Sequence, residues 1–150
     1  MPLTFDPLRS SDRAVLEELV RAYYIDDGHE YDEALHGRAL DELCAGNEFA
    51  LGWIMREDGE TAGYVVITLG FSILYGGFDA FIDEIYVTPE RRGKGFGTRA
   101  LHFVEEECLR RSLRRMYLEV THHNPRARAL YERLGYEDHE SYLLSKTPAP

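Results

Sequence analysis

"DEIYVTPERRGKGFGTRAL", residues 83–101, changes character twice along its length. Ile85, Tyr86 and Val87 read as the end of a strand, which Pro89 closes because proline has no N–H for a ladder and restrains Thr88 before it. Four cations (Arg91, Arg92, Lys94, Arg99) and three alternate glycines (Gly93, Gly95, Gly97) follow, in a chain whose formal net charge is −10. From about Phe96 to Leu113 the spacing is helical, with Leu101, Val104 and Cys108 on one stripe. A loop that leaves the C-terminal end of a strand and enters a helix is where chemistry usually sits in mixed sheets. There the N–H groups of Phe96, Gly97 and Thr98 lack intrahelical acceptors, and the helix dipole adds roughly half a positive charge. Glycines at 93, 95 and 97 let backbone approach a ligand without a Cβ between them. With Arg92 and Lys94 adding charge, the stretch reads as a polyphosphate cradle.

Three phosphate ligands compete for it. A nucleotide P-loop is excluded, because Lys94 is followed by Gly95 rather than Ser or Thr. Residues Gly95 to Ala100 satisfy the dinucleotide pattern G-x-G-x-x-A, but that pattern opens a long parallel βαβ array, and only 50 residues remain after Ala100. Glu119 is the only acid in the following strand that could meet a ribose. The pyrophosphate of coenzyme A is the third ligand.

Outward from the loop, the periodicities predict the remaining elements. Residues 2–6 form a short strand, and Ser10, Ser11 and Asp12 offer caps for a helix with Val15, Leu16, Leu19, Val20 and Tyr23 on one face. Asp32 to Ala45 fits a second helix with Leu35, Ala39 and Leu43 at i, i+4 and i+8. "EFALGWIMREDGETAGYVVITLG" reads as two strands joined by an Asp58-Gly59 turn, and "FDAFIDEIYV" as a third strand. After the 96–113 helix, "RRMYLEVT" is an apolar strand, Asn124 to Leu134 a short helix, and "YEDHESYLLSK" two short terminal strands. The order βααβββαβαββ predicts an α/β (α+β) fold with a mixed sheet flanked by helices. No linker, repeat or low-complexity segment interrupts it, so residues 1–150 are expected to be one domain.

Composition bounds the setting. The start "MPLTFDPLRSSDR" shows no charged n-region followed by an apolar core, so no secretory leader is expected. "YVVITLGFSILYGGF" is too short and too interrupted to span a bilayer, so no membrane association is expected. Cys44 and Cys108 are isolated on helical patterns, which suits a reducing, cytoplasmic setting. His122 and His123 are adjacent, and none of the six histidines has ligand spacing, so no metal is expected. The acidic balance argues against a nucleic-acid partner and suits a cationic or neutral substrate.

The two motifs together carry a resemblance. "DEIYVTPERRGKGFGTRAL" followed by "NPRARALYERLGYE" closely resembles the GNAT superfamily of N-acetyltransferases, over nearly the whole chain. Arg92-Gly93-Lys94-Gly95-Phe96-Gly97 matches the family's acyl-CoA signature [RQ]-x-x-G-x-[GA], and Asn124 with Tyr131 in a helix ending Leu-Gly-Tyr matches its second motif. The resemblance implies a mostly antiparallel sheet with about four helices, splayed to leave a slot for acetyl-CoA. It implies that the backbone of Ile85, Tyr86 and Val87 pairs with the pantetheine arm and that the amides of Arg92, Gly93, Lys94, Gly95, Phe96, Gly97 and Thr98 wrap the pyrophosphate. Asn124 would contact the pantetheine and Tyr131 would sit near the thioester sulfur. Spacing alone also explains both residues: Asn124 before Pro125 is a helix cap, and Tyr131 lies in line with Ala127, Leu130 and Leu134.

Acetyl transfer to an amine needs a base, since an alkylamine of pKa near 10.4 is charged at neutral pH. Asp83 and Glu84 sit beside the implied slot, and alternation along a strand allows only one of them to face the substrate; Glu84 has the longer reach. The Tyr131 hydroxyl is the candidate acid for the departing thiolate. Asp26, Asp27 and Glu30, in the acidic segment between the first two helices, are the candidate readers of a small cationic amine. The competing functions are a catalytically idle acyl-CoA-binding module and a protein or peptide N-acetyltransferase. An edge strand near the C-terminus is where two copies would pair as a homodimer.

Overall fold

Asp58 and Gly59 take the turn their sequence predicts: both have positive φ, 53° and 80°, as a two-residue hairpin of this hand requires. In the computed structural model, which describes residues 2–150, this turn joins strand β2 (Ala50–Glu57) to β3 (Glu60–Ser72). The chain begins with β1 (Leu3–Pro7), α1 (Arg13–Asp27) and α2 (Glu33–Cys44), and continues after β3 with β4 (Gly77–Val87), α3 (Phe96–Arg110), β5 (Met116–Tyr117) and α4 (Pro125–Arg133). The sheet runs β1-β2-β3-β4-β5; every pair is antiparallel except β4–β5, which is parallel. Two units divide the chain, one ending at Leu118 and the other spanning Glu119–Pro150. No helix among the described residues is long and apolar enough to cross a membrane.

In the first unit, helices cover both faces of the sheet. Leu16, Leu19 and Val20 of α1 and Leu40 and Cys44 of α2 pack on Tyr64, Val66 and Tyr86. On the other face, Phe96 and Ala100 of α3 meet Met55, Ala62, Ile85 and Val87. Successive residues of β4 therefore serve different cores, as the pleat demands. Both cysteines are free and buried.

Three elements differ from the sequence reading. The buried stripe of α2 is Gly37, Leu40 and Cys44, not Leu35, Ala39 and Leu43. Leu35 is 65 % exposed, because the helix presents the adjacent face to α1; the i, i+4, i+8 set fits the period equally well and leaves rotation about the axis undetermined. The strand expected over 114–121 is only Met116–Tyr117, since its parallel partner offers it two residues, Ala80 and Phe81. Residues 136–146 form no strand, and Tyr142, Leu143 and Leu144 are exposed. Alternation without a ladder partner does not make a strand, and the expected pairing edge for a homodimer is not formed there.

Gly63 sits where β3 crosses the part of β4 that carries the glycine loop. A Cβ added at Gly63 would lie 2.0 Å from the Tyr86 carbonyl oxygen and 2.7 Å from Met55 Cε. Backbone cannot step aside as a flexible side chain can, so Gly63→Ala should destabilise the fold by about 2 kcal/mol and lower Tm by roughly 5 °C. Thermal unfolding of the two proteins checks it; an unchanged Tm would show that β3 and β4 separate freely at this point.

Candidate active site

Val66 pairs with Glu84 and Ile67 pairs with Ile82, leaving Asp83 opposite no residue. Asp83 is thus the extra residue of a β-bulge, a feature that re-aims side chains and interrupts pairing. The bulge overturns the alternation argument. Asp83 and Glu84 both line one pocket of about 140 Å3 beneath α1 and α2.

Glu84 is held from two directions. Its Oε2 accepts a hydrogen bond of 2.8 Å from the Tyr24 hydroxyl of α1, and its Oε1 one of 2.7 Å from the Tyr64 hydroxyl of β3. Burial raises the Glu84 carboxyl above its usual range, and the two hydroxyls offset part of that rise. Burial raises Asp83 as well, although its side chain keeps access to solvent. Both tyrosines stay protonated at any physiological pH, raised by burial and by the facing carboxylate. His36 of α2 lines the same pocket, and its Nδ1 accepts from the Asp32 amide at 2.8 Å. The remaining walls are aliphatic.

The edge of β4 supplies a second site. Beyond Phe81 it has no ladder partner in β5. Ile85, Tyr86 and Val87 line a second pocket of about 250 Å3 with Arg92 and Tyr23. The Arg92 guanidinium lies 5.4 Å from the Tyr86 ring centre, donates to the Val87 carbonyl at 3.0 Å and reaches Asp26 Oδ2 at 2.7 Å. Arg91 is turned away, on Glu57 and Glu60. Past it the loop opens: Gly93 and Gly95 have φ of 74° and 79°, and a Cβ at Gly93, Gly95 or Gly97 would meet nothing within 4 Å. Gly95 caps α3 with no side-chain hydrogen bond, so the amides of Phe96, Gly97 and Thr98 face outward unsatisfied by any cap. Lys94 is exposed.

The acidic segment does not gather at the carboxylate pocket. Asp26 is engaged by Arg92, Asp27 lines the pocket by the β4 edge and lies 3.0 Å from His29 Nε2, and Glu30 is exposed. In the second unit, Asn124 Oδ1 accepts from the Ala127 amide at 3.1 Å and caps α4, which leaves its amide N–H groups for another partner. Tyr131 is partly buried, 6.0 Å from the Tyr136 ring, and burial raises its hydroxyl pKa.

The profile of the acetyltransferase (GNAT) family matches residues 13–136. The chain belongs to the GNAT family. An uncharacterized N-acetyltransferase of Bacillus subtilis (strain 168) is 30% identical over 90 residues, 60% of each chain. A thialysine N-epsilon-acetyltransferase of Mus musculus is 33% identical over 89 residues, 57% of this chain and 52% of that one; the matches thus span little more than half the length of these relatives. An integron cassette protein from the mobile metagenome of Cole Harbour Salt Marsh superposes with a TM-score of 0.83 at 32% identity, covering 97% of this chain and 91% of that one. An aminoglycoside N-acetyltransferase solved with CoA shares the fold, with a TM-score of 0.81 at 14% identity over 99% and 96% of the two chains.

The bulge, the edge without a β5 partner and the helix start without a side-chain cap follow one another along β4 and its exit loop. Sequence reading singled out Glu84, Asp83 and the loop but not Tyr64 or the specific part of Tyr24, whose hydroxyls meet at Glu84 from residues 20 and 60 positions away. The signal for Tyr64 is the β3–β4 register, which places Tyr64, Val66, Glu84 and Tyr86 on one face.

The raised Glu84 has a consequence for stability. Its folded carboxyl binds a proton more tightly than in the unfolded chain, whose value is near 4.5. Stability from this group is therefore greatest below that value and falls as pH rises through the raised folded pKa. Glu84→Gln cannot ionise, so its stability relative to wild type should increase between pH 4.5 and pH 7.5 in urea unfolding; a pH-independent difference would show that Glu84 is not desolvated.

Proposed function

We propose that the protein is an acetyl-CoA-dependent N-acetyltransferase that passes the acetyl group directly to a primary amine. The observation that carries this reading is Glu84, a raised carboxylate in an apolar pocket whose strand turns a free backbone edge outward. The glycine loop fits coenzyme A by its own geometry: a 250 Å3 pocket along Ile85–Val87, glycines with open space above them, and an uncapped helix start for a pyrophosphate. Arg92, leaving Asp26, and Lys94 would add charge there, and Asn124 would serve the pantetheine. Acetyl-CoA supplies an activated acetyl thioester.

The chain's own residues then handle protons and charge. An incoming ammonium is attracted by Asp83 and Glu84, and Glu84 removes its proton directly or through one water. A carboxylate with a raised pKa is the stronger base, and the two tyrosine hydroxyls fix which oxygen lone pairs remain for the amine. Tyr131 is the proposed donor to the departing thiolate sulfur. Burial keeps that hydroxyl protonated, which is the form a general acid needs. No covalent enzyme intermediate is required, and the buried thiols of Cys44 and Cys108 are raised by burial, the wrong direction for nucleophiles.

Acetyl-CoA at about 100 times its Kd should stabilise the fold by about 2.7 kcal/mol, a Tm rise of roughly 5–10 °C, while NADH gives none. A rise with NADH instead would return the loop to a dinucleotide. In steady-state assays of thiol release, Glu84→Gln should lower kcat/KM by about 10²–10⁴-fold. Tyr131→Phe should lower kcat by about 10²-fold, and an unchanged rate removes Tyr131 from the mechanism. Acetyl-CoA binding without release of thiol to any amine or peptide would identify an acyl-CoA-binding module rather than a transferase.

A further inference from the structure

Asp83 and Glu84 are the acids among the residues lining the pocket beside Glu84, and Leu16, Val20, Leu40, Leu43 and Val66 make most of its remaining walls. The hydroxyls of Tyr24 and Tyr64 are already committed to Glu84. No further acid lines the pocket among the described residues, so a second ammonium placed among these leucines would be desolvated without a partner. The acids that might have read a second charge are elsewhere: Asp26 and Asp27 stand at the β4 edge.

Size narrows the occupant further. A volume of about 140 Å3 is close to the roughly 150 Å3 of a dry cavity that holds one benzene, and well below the roughly 300 Å3 where sites for drug-sized ligands begin. We propose that the acceptor is a primary amine on one short apolar body, a phenyl ring or short alkyl chain, with its ammonium at Glu84 and Asp83 and its tail between α1 and α2. The acceptor's acetylation rests on the transferase reading above; its binding in this pocket does not.

Ala39 gives the means of testing it. It lines the pocket yet is exposed on α2, so a larger side chain can enter the tail space without displacing the core. With saturating acetyl-CoA, thiol release should be followed for n-butylamine, 2-phenylethylamine, spermidine, L-lysine and a peptide with an N-terminal alanine. The two apolar amines should show kcat/KM about tenfold above the others, and Ala39→Phe should raise KM for 2-phenylethylamine about tenfold while its Tm rise with acetyl-CoA stays that of wild type. Spermidine, lysine or the peptide leading the series would overturn the inference and leave the transferase reading standing, as would an Ala39→Phe variant with an unchanged KM. If no acceptor releases thiol, the transferase reading falls and binding decides the inference: with CoA present, 2-phenylethylamine should raise Tm of wild type but not of Ala39→Phe, and no rise in wild type overturns it.

Discussion

One unpaired residue, Asp83, sets the geometry on which the site depends. Without the bulge, β4 would alternate strictly, and Asp83 and Glu84 would face opposite cores. With it, the pairing to β5 stops at Phe81, two positions before the extra residue, and the strand beyond turns a bare edge outward. Bulges bend a strand and strengthen its twist. The irregularity therefore aims two carboxylates into one pocket, while the backbone of Ile85–Val87, which has no ladder partner in β5, lines another.

Local charge is arranged against the global balance. A chain of net charge −10 repels a polyphosphate at long range, yet four of its 17 lysines and arginines lie within residues 91–99, where short-range contacts dominate at physiological ionic strength. Arg92 is the adjustable member. Its bond to Asp26 joins two side chains that are each about half exposed, 49% and 43%, and such pairs contribute at most about 1 kcal/mol. A guanidinium gains more from a phosphate it can grip with two N–H groups. Asp26 thus holds Arg92 beside the β4 edge in a bond of small net worth, and on the proposed reading the acid is a partner of the loop rather than a reader of the amine.

Local signals were legible in the sequence; relations between elements were less so. Asp58-Gly59, Pro89, the glycine triplet and the Asn124-Pro125 cap are decided by backbone chemistry within a few residues, and each was readable. The rotation of α2 was not, because the Leu35-Ala39-Leu43 stripe and the Leu40-Cys44 stripe both fit a period of 3.6 and only packing against α1 chooses between them. Glu84 was found by its incongruity in an apolar strand. Its partners Tyr24 and Tyr64 were not, since nothing local to either distinguishes a hydroxyl on a carboxylate from an aromatic in the core. Strand pattern at the C-terminus misled for the opposite reason: Tyr142, Leu143 and Leu144 have the propensity, but propensity is realised only on a neighbouring ladder.

The misread stripe of α2 leads back to the site. Ala39, expected on the core-facing stripe, is exposed on α2, and together with Leu43, which packs against the core, it walls the pocket that surrounds Glu84. Desolvation raises the Glu84 carboxyl, while hydrogen bonds to a charged group, at about 1.5–3 kcal/mol each, keep the rise within limits. On the proposed reading, the aliphatic walls that raise the Glu84 carboxyl would also penalise any acceptor with a second polar group. Base strength and acceptor selectivity would then be one property of the cavity: a polar residue introduced at Leu43 would lower the carboxyl toward its ordinary range and reduce the penalty on hydrophilic amines in the same step, so neither could be tuned without moving the other.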